Sequence, residues 1–98
     1  MASGQSTDVQ DLRARLIETR IRFVKAELKA GFTFVELANV ANNLRTPETR
    51  QEALAIAQTA QAMATRYLSL VSDELSEREK DSLTSQAQKL ELLISRAL

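Results

Sequence analysis

A chain of 98 residues holds one domain, and 44% apolar residues with only two Gly and one Pro favour a helical core over strands or disorder. Thirteen basic and thirteen acidic side chains cancel, unlike the strong basic excess of most nucleic-acid binders. With neither Cys nor His, the chain has no disulfide frame, no thiolate or imidazole metal ligand and no imidazole base.

Residues 1–7 read as a short flexible leader, since Met-Ala-Ser-Gly-Gln-Ser-Thr lacks the apolar stretch of a signal peptide. Residues 8–98 read as a single all-α domain. The first helix is expected over about 8–30, capped by Ser6 or Thr7, with Asp8 and Asp11 at the positive end of its dipole. It carries two apolar stripes. Leu12, Leu16, Phe23 and Ala30 project one way; Ile17, Ile21, Val24 and Leu28 project another, at spacings of four, three and four. Arg13, Arg20 and Glu27 lie between them, and Arg15, Arg22, Lys25 and Lys29 line the far side, with Glu18 placed to pair with Arg22.

Gly31 then reads as a helix stop. Thr33 and Glu36 have capping-box spacing, and Phe32 and Leu37 that of a hydrophobic staple, so a short second helix is predicted over about 33–42. The same stretch also reads as one long helix kinked at Gly31. Thr46-Pro47-Glu48 opens a further helix over 47–71. Between Ala53 and Ser72 that helix has one charge, Arg66, and its apolar residues cover more than half its circumference, which makes it central in a bundle. Ser76 and Glu79 form a second capping box before a last helix over 77–97, whose stripe is Leu83, Ala87, Leu90, Leu93, Ile94 and Ala97, with Leu92 outside it. Short connections predict an antiparallel bundle of three long helices plus the short extra one. Segment 8–30 has six basic and four acidic groups and segment 73–98 four basic and six acidic, so their faces are complementary.

No chemistry-bearing constellation emerges. Glu48 and Glu52 share a helix face, and Asp73, Glu77 and Asp81 could form an acidic ladder, but acids at helix starts serve the dipole. Gly4 and Gly31 stand alone, so there is no phosphate-binding loop, and Tyr67 reads as a core ring with a wet hydroxyl. The expectation is no enzyme, no cofactor, no metal and no small-molecule substrate. No apolar run nears the ~18 residues of a membrane span, and the lack of Cys fits a reducing compartment, so a cytoplasmic, membrane-independent protein is expected.

Three resemblances are present. Phe34, Leu37, Ala38 and Ala41, followed by Thr46 to Arg50, loosely resemble a DNA-binding helix-turn-helix over 33–57, with Asn42 in place of the turn Gly and Glu48 and Gln51 where that family packs apolar residues. That resemblance implies nucleic-acid binding, the alternative function, for which the available cations are Arg15, Arg22, Lys25 and Lys29 with Arg45 and Arg50. Residues 34–60, with Ala53, Ala57 and Ala60, are similar to one tetratricopeptide-like hairpin, without the Trp landmark. Gly31-x-Thr33-Phe34 before an Ala-rich helix resembles short bacterial helical-bundle proteins of unassigned function, which implies a bundle and no activity. The favoured function is a small adaptor or assembly module, self-associating as a homodimer or docking a protein partner. Its expected surface is Ile17, Ile21, Val24 and Leu28, rimmed by Arg13, Arg20 and Arg22.

Overall fold

The computed structural model describes residues 2–98, with side chains from Asp8 onward; the first helix, expected to start near Asp8 after a Ser6 or Thr7 cap, already runs from Ala2. The fold is all-α, with no strand among the described residues. Helix α1 spans Ala2–Asn43, α2 spans Pro47–Val71 and α3 spans Glu77–Ala97, with a single 3-10 turn at Ser72–Glu74 before the last. The bounds of α2 and α3 are those expected from Thr46-Pro47 and from the Ser76 box. The Ser76 hydroxyl accepts from the Glu79 amide at 3.2 Å, which satisfies one of the orphan donors of the α3 N-terminus.

The expected break at Gly31 is absent, and so is the separate helix over 33–42. α1 runs straight through both as one helix. Gly31 has no positive φ. Its role is steric: a Cβ there would collide with Cδ2 of Leu90 in α3, with Cδ1 and Cγ of the same side chain close by at 3.3 and 3.4 Å. The missing side chain lets two helices approach, and it does not end either of them. Thr33 makes no cap; its hydroxyl donates back to the Lys29 carbonyl at 2.9 Å, a bond made from within a helix. Phe32 packs on the core while Leu37 is exposed, so they form no staple.

α1 stops instead at Leu44-Arg45-Thr46. The Arg45 amide donates to Asn42 and the Thr46 amide to Ala41, at 3.2 and 2.9 Å, with Arg45 left-handed at φ 57°. This is a Schellman ending with Arg where Gly is usual. Thr46 makes no side-chain cap on α2; its hydroxyl donates to the Ala41 carbonyl at 3.0 Å and so serves the end of α1.

Small residues on α2 set the packing. Ala53, Ala57, Ala60 and Ala64 are buried along one face with Leu54, Leu68 and Val71. Val24, Leu28 and Val35 of α1 meet them, and Leu83, Ala87, Leu90 and Ile94 of α3 close the core. At 1.5 Å per residue α1 is ~63 Å long, α2 ~37 Å and α3 ~32 Å. The longest dimension of the molecule, 66 Å, is therefore that of α1 alone. Tyr67, near the end of α2, stands beside Phe23 in the middle of α1. The segment from Asp8 to Leu16 is exposed throughout.

Candidate interaction surface

α1 carries two apolar rows with different fates. Along the first, Ile17 and Ile21 are half-buried, Val24 and Leu28 are 0% and 1% exposed, and Gly31, Val35 and Ala38 continue the burial. This row is the seam that α1 presents to its own neighbours. Val24 and Leu28 are thus core residues, which corrects their assignment to a docking stripe, and Ile17 and Ile21 are the half-covered end of the same seam. The reason is that α2 and α3 both reach this part of α1 and supply the partners that the stripe requires.

The second row lies about 150° around the helix. It comprises Val9, Leu12, Leu16, Thr19, Phe23, Ala26, Ala30, Thr33, Leu37, Val40 and Leu44, alternating steps of three and four over five heptads. Its large aliphatic members are 42–70% exposed. Phe23 and Ala30 are half-buried because α2 flanks them. Phe23 meets Tyr67 with ring centroids 4.7 Å apart and planes tilted by 57°, and Ala30 with Glu27 borders a shallow groove whose other wall is Ala55, Ile56, Thr59 and Ala60. α2 adds its own uncovered apolar residues on that side: Ile56 and Leu70 are exposed and Met63 half-buried. The apolar excess of α2 beyond one buried face is this row. Sequence reasoning located only the part of the α1 row before Gly31, Val9, Leu12, Leu16, Phe23 and Ala30, because a stop placed at that glycine cut the heptads in two. The signal was the unbroken 3.5-residue spacing on either side of that glycine.

The rim arginines divide. Arg13 and Arg20 flank the outer row on the side of α2, and Arg22 lies on the opposite flank. Arg13 approaches Glu74 at 4.0 Å, and Arg22 pairs with Glu18 at 2.6 Å within the helix, as its spacing predicted. Arg20 is half-buried and takes part in no ion pair among the described residues. Lys25 pairs with Glu79 at 3.2 Å, a contact between the basic first and acidic last segments. Arg50 donates to the Ala97 carbonyl at the end of α3. The nucleic-acid reading thus has Arg22, Lys25 and Arg50 of its six cations engaged in the protein's own contacts. Among the described residues no three His, Cys, Asp or Glu stand together as a metal site, and no helix is long and apolar enough to cross a membrane. Comparison of the chain with protein-family models, with characterised proteins and with solved structures finds no match.

Proposed function

We propose that this chain is a small protein–protein assembly module, without catalytic activity, that works by offering one apolar face of a long helix to another helix. The observation that carries this reading is the outer row of α1. Six large aliphatic side chains, Val9, Leu12, Leu16, Leu37, Val40 and Leu44, keep 42–70% of their surface in water at heptad spacing. Burying such a side chain fully is favourable by about 1.5–3 kcal/mol, and a contiguous exposed apolar face marks an interaction site. The rest of the chain serves as the scaffold, which we read as an antiparallel up-down-up bundle. Four facts support that topology: the three-residue connection from α1 to α2, the Lys25–Glu79 pair, Gly31 beside Leu90, and Arg50 at the end of α3. A cytoplasmic site of action fits a chain without cysteine.

The test is a photo-crosslinking amino acid placed at Leu12, at Leu37 and, as control, at exposed Gln88 of α3, activated in living cells. The expected result is one discrete adduct from both α1 positions, its cross-linked peptide mapping to the apolar row of a helix. Adducts at Leu12 and Leu37 no stronger than those at Gln88 would refute the reading.

A further inference from the structure

Resting on that reading, we infer that the helix received by the outer row is the same row of a second copy of this chain, running antiparallel. A two-fold interface must be self-complementary, residue i meeting j and j meeting i. The outer row has that property. Large residues stand at its two ends (Val9, Leu12, Leu16 and Leu37, Val40, Leu44), and the small Ala26 and Ala30 stand in the middle beside Phe23. In an antiparallel pairing of heptad positions, Val9 opposes Val40, Leu12 opposes Leu37, Leu16 opposes Thr33, and Phe23 fills the space over Ala26. Like-sized ends meet and the one aromatic ring meets a methyl group.

The flanking charges select this register. It brings Arg20 against Glu27 of the other copy and Arg15 against Glu36, each twice by symmetry; its one kind of like-charge contact, also made twice, sets Arg22, already paired with Glu18, near Lys29. Sliding by one heptad in one direction leaves one kind of attractive contact, Arg22 against Glu36, but loses both others and sets Glu27 against Glu27 and Lys29 against Lys29. Sliding in the other direction sets Arg20 against Arg20, Arg22 against Arg22 and Arg15 against Lys29. A parallel pairing gains Arg22 against Glu27, but it stacks Phe23 on Phe23 and sets Arg15 beside Arg20.

The area is sufficient. The row from Val9 to Val40 is ~47 Å long, and a helix ~10 Å across contributes roughly 500 Å² along it. Ile56, Met63 and Leu70 of α2 border the same face and meet their counterparts in the other copy, bringing each side toward the ~800 Å² of a standard interface.

The experiment is solution mass by light scattering over a concentration series for the wild type, Arg20→Glu, Glu27→Arg and an equimolar mixture of the two variants, with helicity checked by circular dichroism. The wild type is expected at twice the 10.9 kDa chain mass. Each single variant, still helical, should need at least tenfold higher concentration to associate. Arg20→Glu sets two carboxylates against each other across the seam, and Glu27→Arg sets two guanidinium groups against each other. The mixture restores both opposite-charge contacts and should return to twice the chain mass. A wild type that stays at the single-chain mass, a mixture no heavier than its components, or tighter association of Arg20→Glu, which parallel pairing demands, each overturns the proposal. A single-chain mass together with a Leu12 adduct to a different protein would refute self-pairing alone; a single-chain mass with no adduct refutes the docking reading as well.

Discussion

The two rows of α1 have nearly the same composition and the same spacing, yet one is core and the other faces water. Ile17, Ile21, Val24 and Leu28 are no more apolar than Leu12, Leu16, Leu37 and Val40. What separates them is geometry outside the helix. α2 and α3 both lie on the side of Leu28, and neither covers the side of Leu37. Periodicity therefore reports that a face wants burial, and the count of helices available in the same chain decides whether it gets it. Three helices around a core satisfy one broad face of α1, and a second face is left over.

The largest effects should separate the rows by truncation. Leu28→Ala removes one of the largest fully buried side chains of the core, 1% exposed, and such deletions cost about 2–5 kcal/mol. Leu37→Ala should change the stability of the dilute single chain by no more than about 0.5 kcal/mol, as for an ordinary surface site. Urea unfolding at low micromolar concentration measures both. If the outer row is an interface, Leu37→Ala should also lose stability relative to wild type as protein concentration rises, since association stabilises only the folded chain. Equal costs for the two substitutions at all concentrations would erase the distinction between the rows.

Much of the architecture was legible before any coordinates. The Thr46-Pro47 and Ser76–Glu79 signals located α2 and α3 because both are local: Pro47 has its fixed φ at the first helical position, and the Ser76 hydroxyl accepts from the amide three residues on. The burial of Leu83, Ala87, Leu90 and Ile94 with Leu92 left outside followed from one narrow stripe. Two kinds of information were not local. One was which of the two α1 stripes would be covered, since this depends on where α2 and α3 dock. The other was the meaning of Gly31. A glycine allows a left-handed helix stop and equally a close helix contact, and only the position of Leu90 distinguishes them.

Gly31→Ala sharpens this point, with an intermediate effect. Alanine is better than glycine inside a helix by about 1 kcal/mol. Against that, the new methyl group displaces the side chain of Leu90, which is fully buried in the core. Overpacking of this kind costs roughly 1–3 kcal/mol. The contact outweighs the propensity, and a net loss of about 1 kcal/mol is expected in thermal or urea unfolding. The loss should shrink when the substitution is made on a Leu90→Ala background, since the two side chains then no longer compete. A gain in stability on the wild-type background would show that Gly31 is only a weak spot in α1, tolerated but not required by α3.

The smallest effect concerns the position where α1 does end. The helix runs through a glycine and stops at an arginine, and Arg45 bears the strain of that arrangement at φ 57°. A residue with a Cβ in this left-handed conformation is disfavoured by about 1 kcal/mol relative to glycine. Arg45→Gly relieves this but loosens the unfolded chain, which takes back part of the gain. A net stabilisation of roughly 0.5 kcal/mol is expected, with Arg45→Ala giving none because it keeps the Cβ. The exposed Arg45 guanidinium has no hydrogen bond among the described contacts to lose, and the residue lies beyond the seam from Val9 to Val40. Self-association should therefore be the same in both variants as in the wild type. A stability gain that appeared in Arg45→Ala as well would assign the effect to the removal of a cation, and the conformational account of how α1 terminates would fall with it.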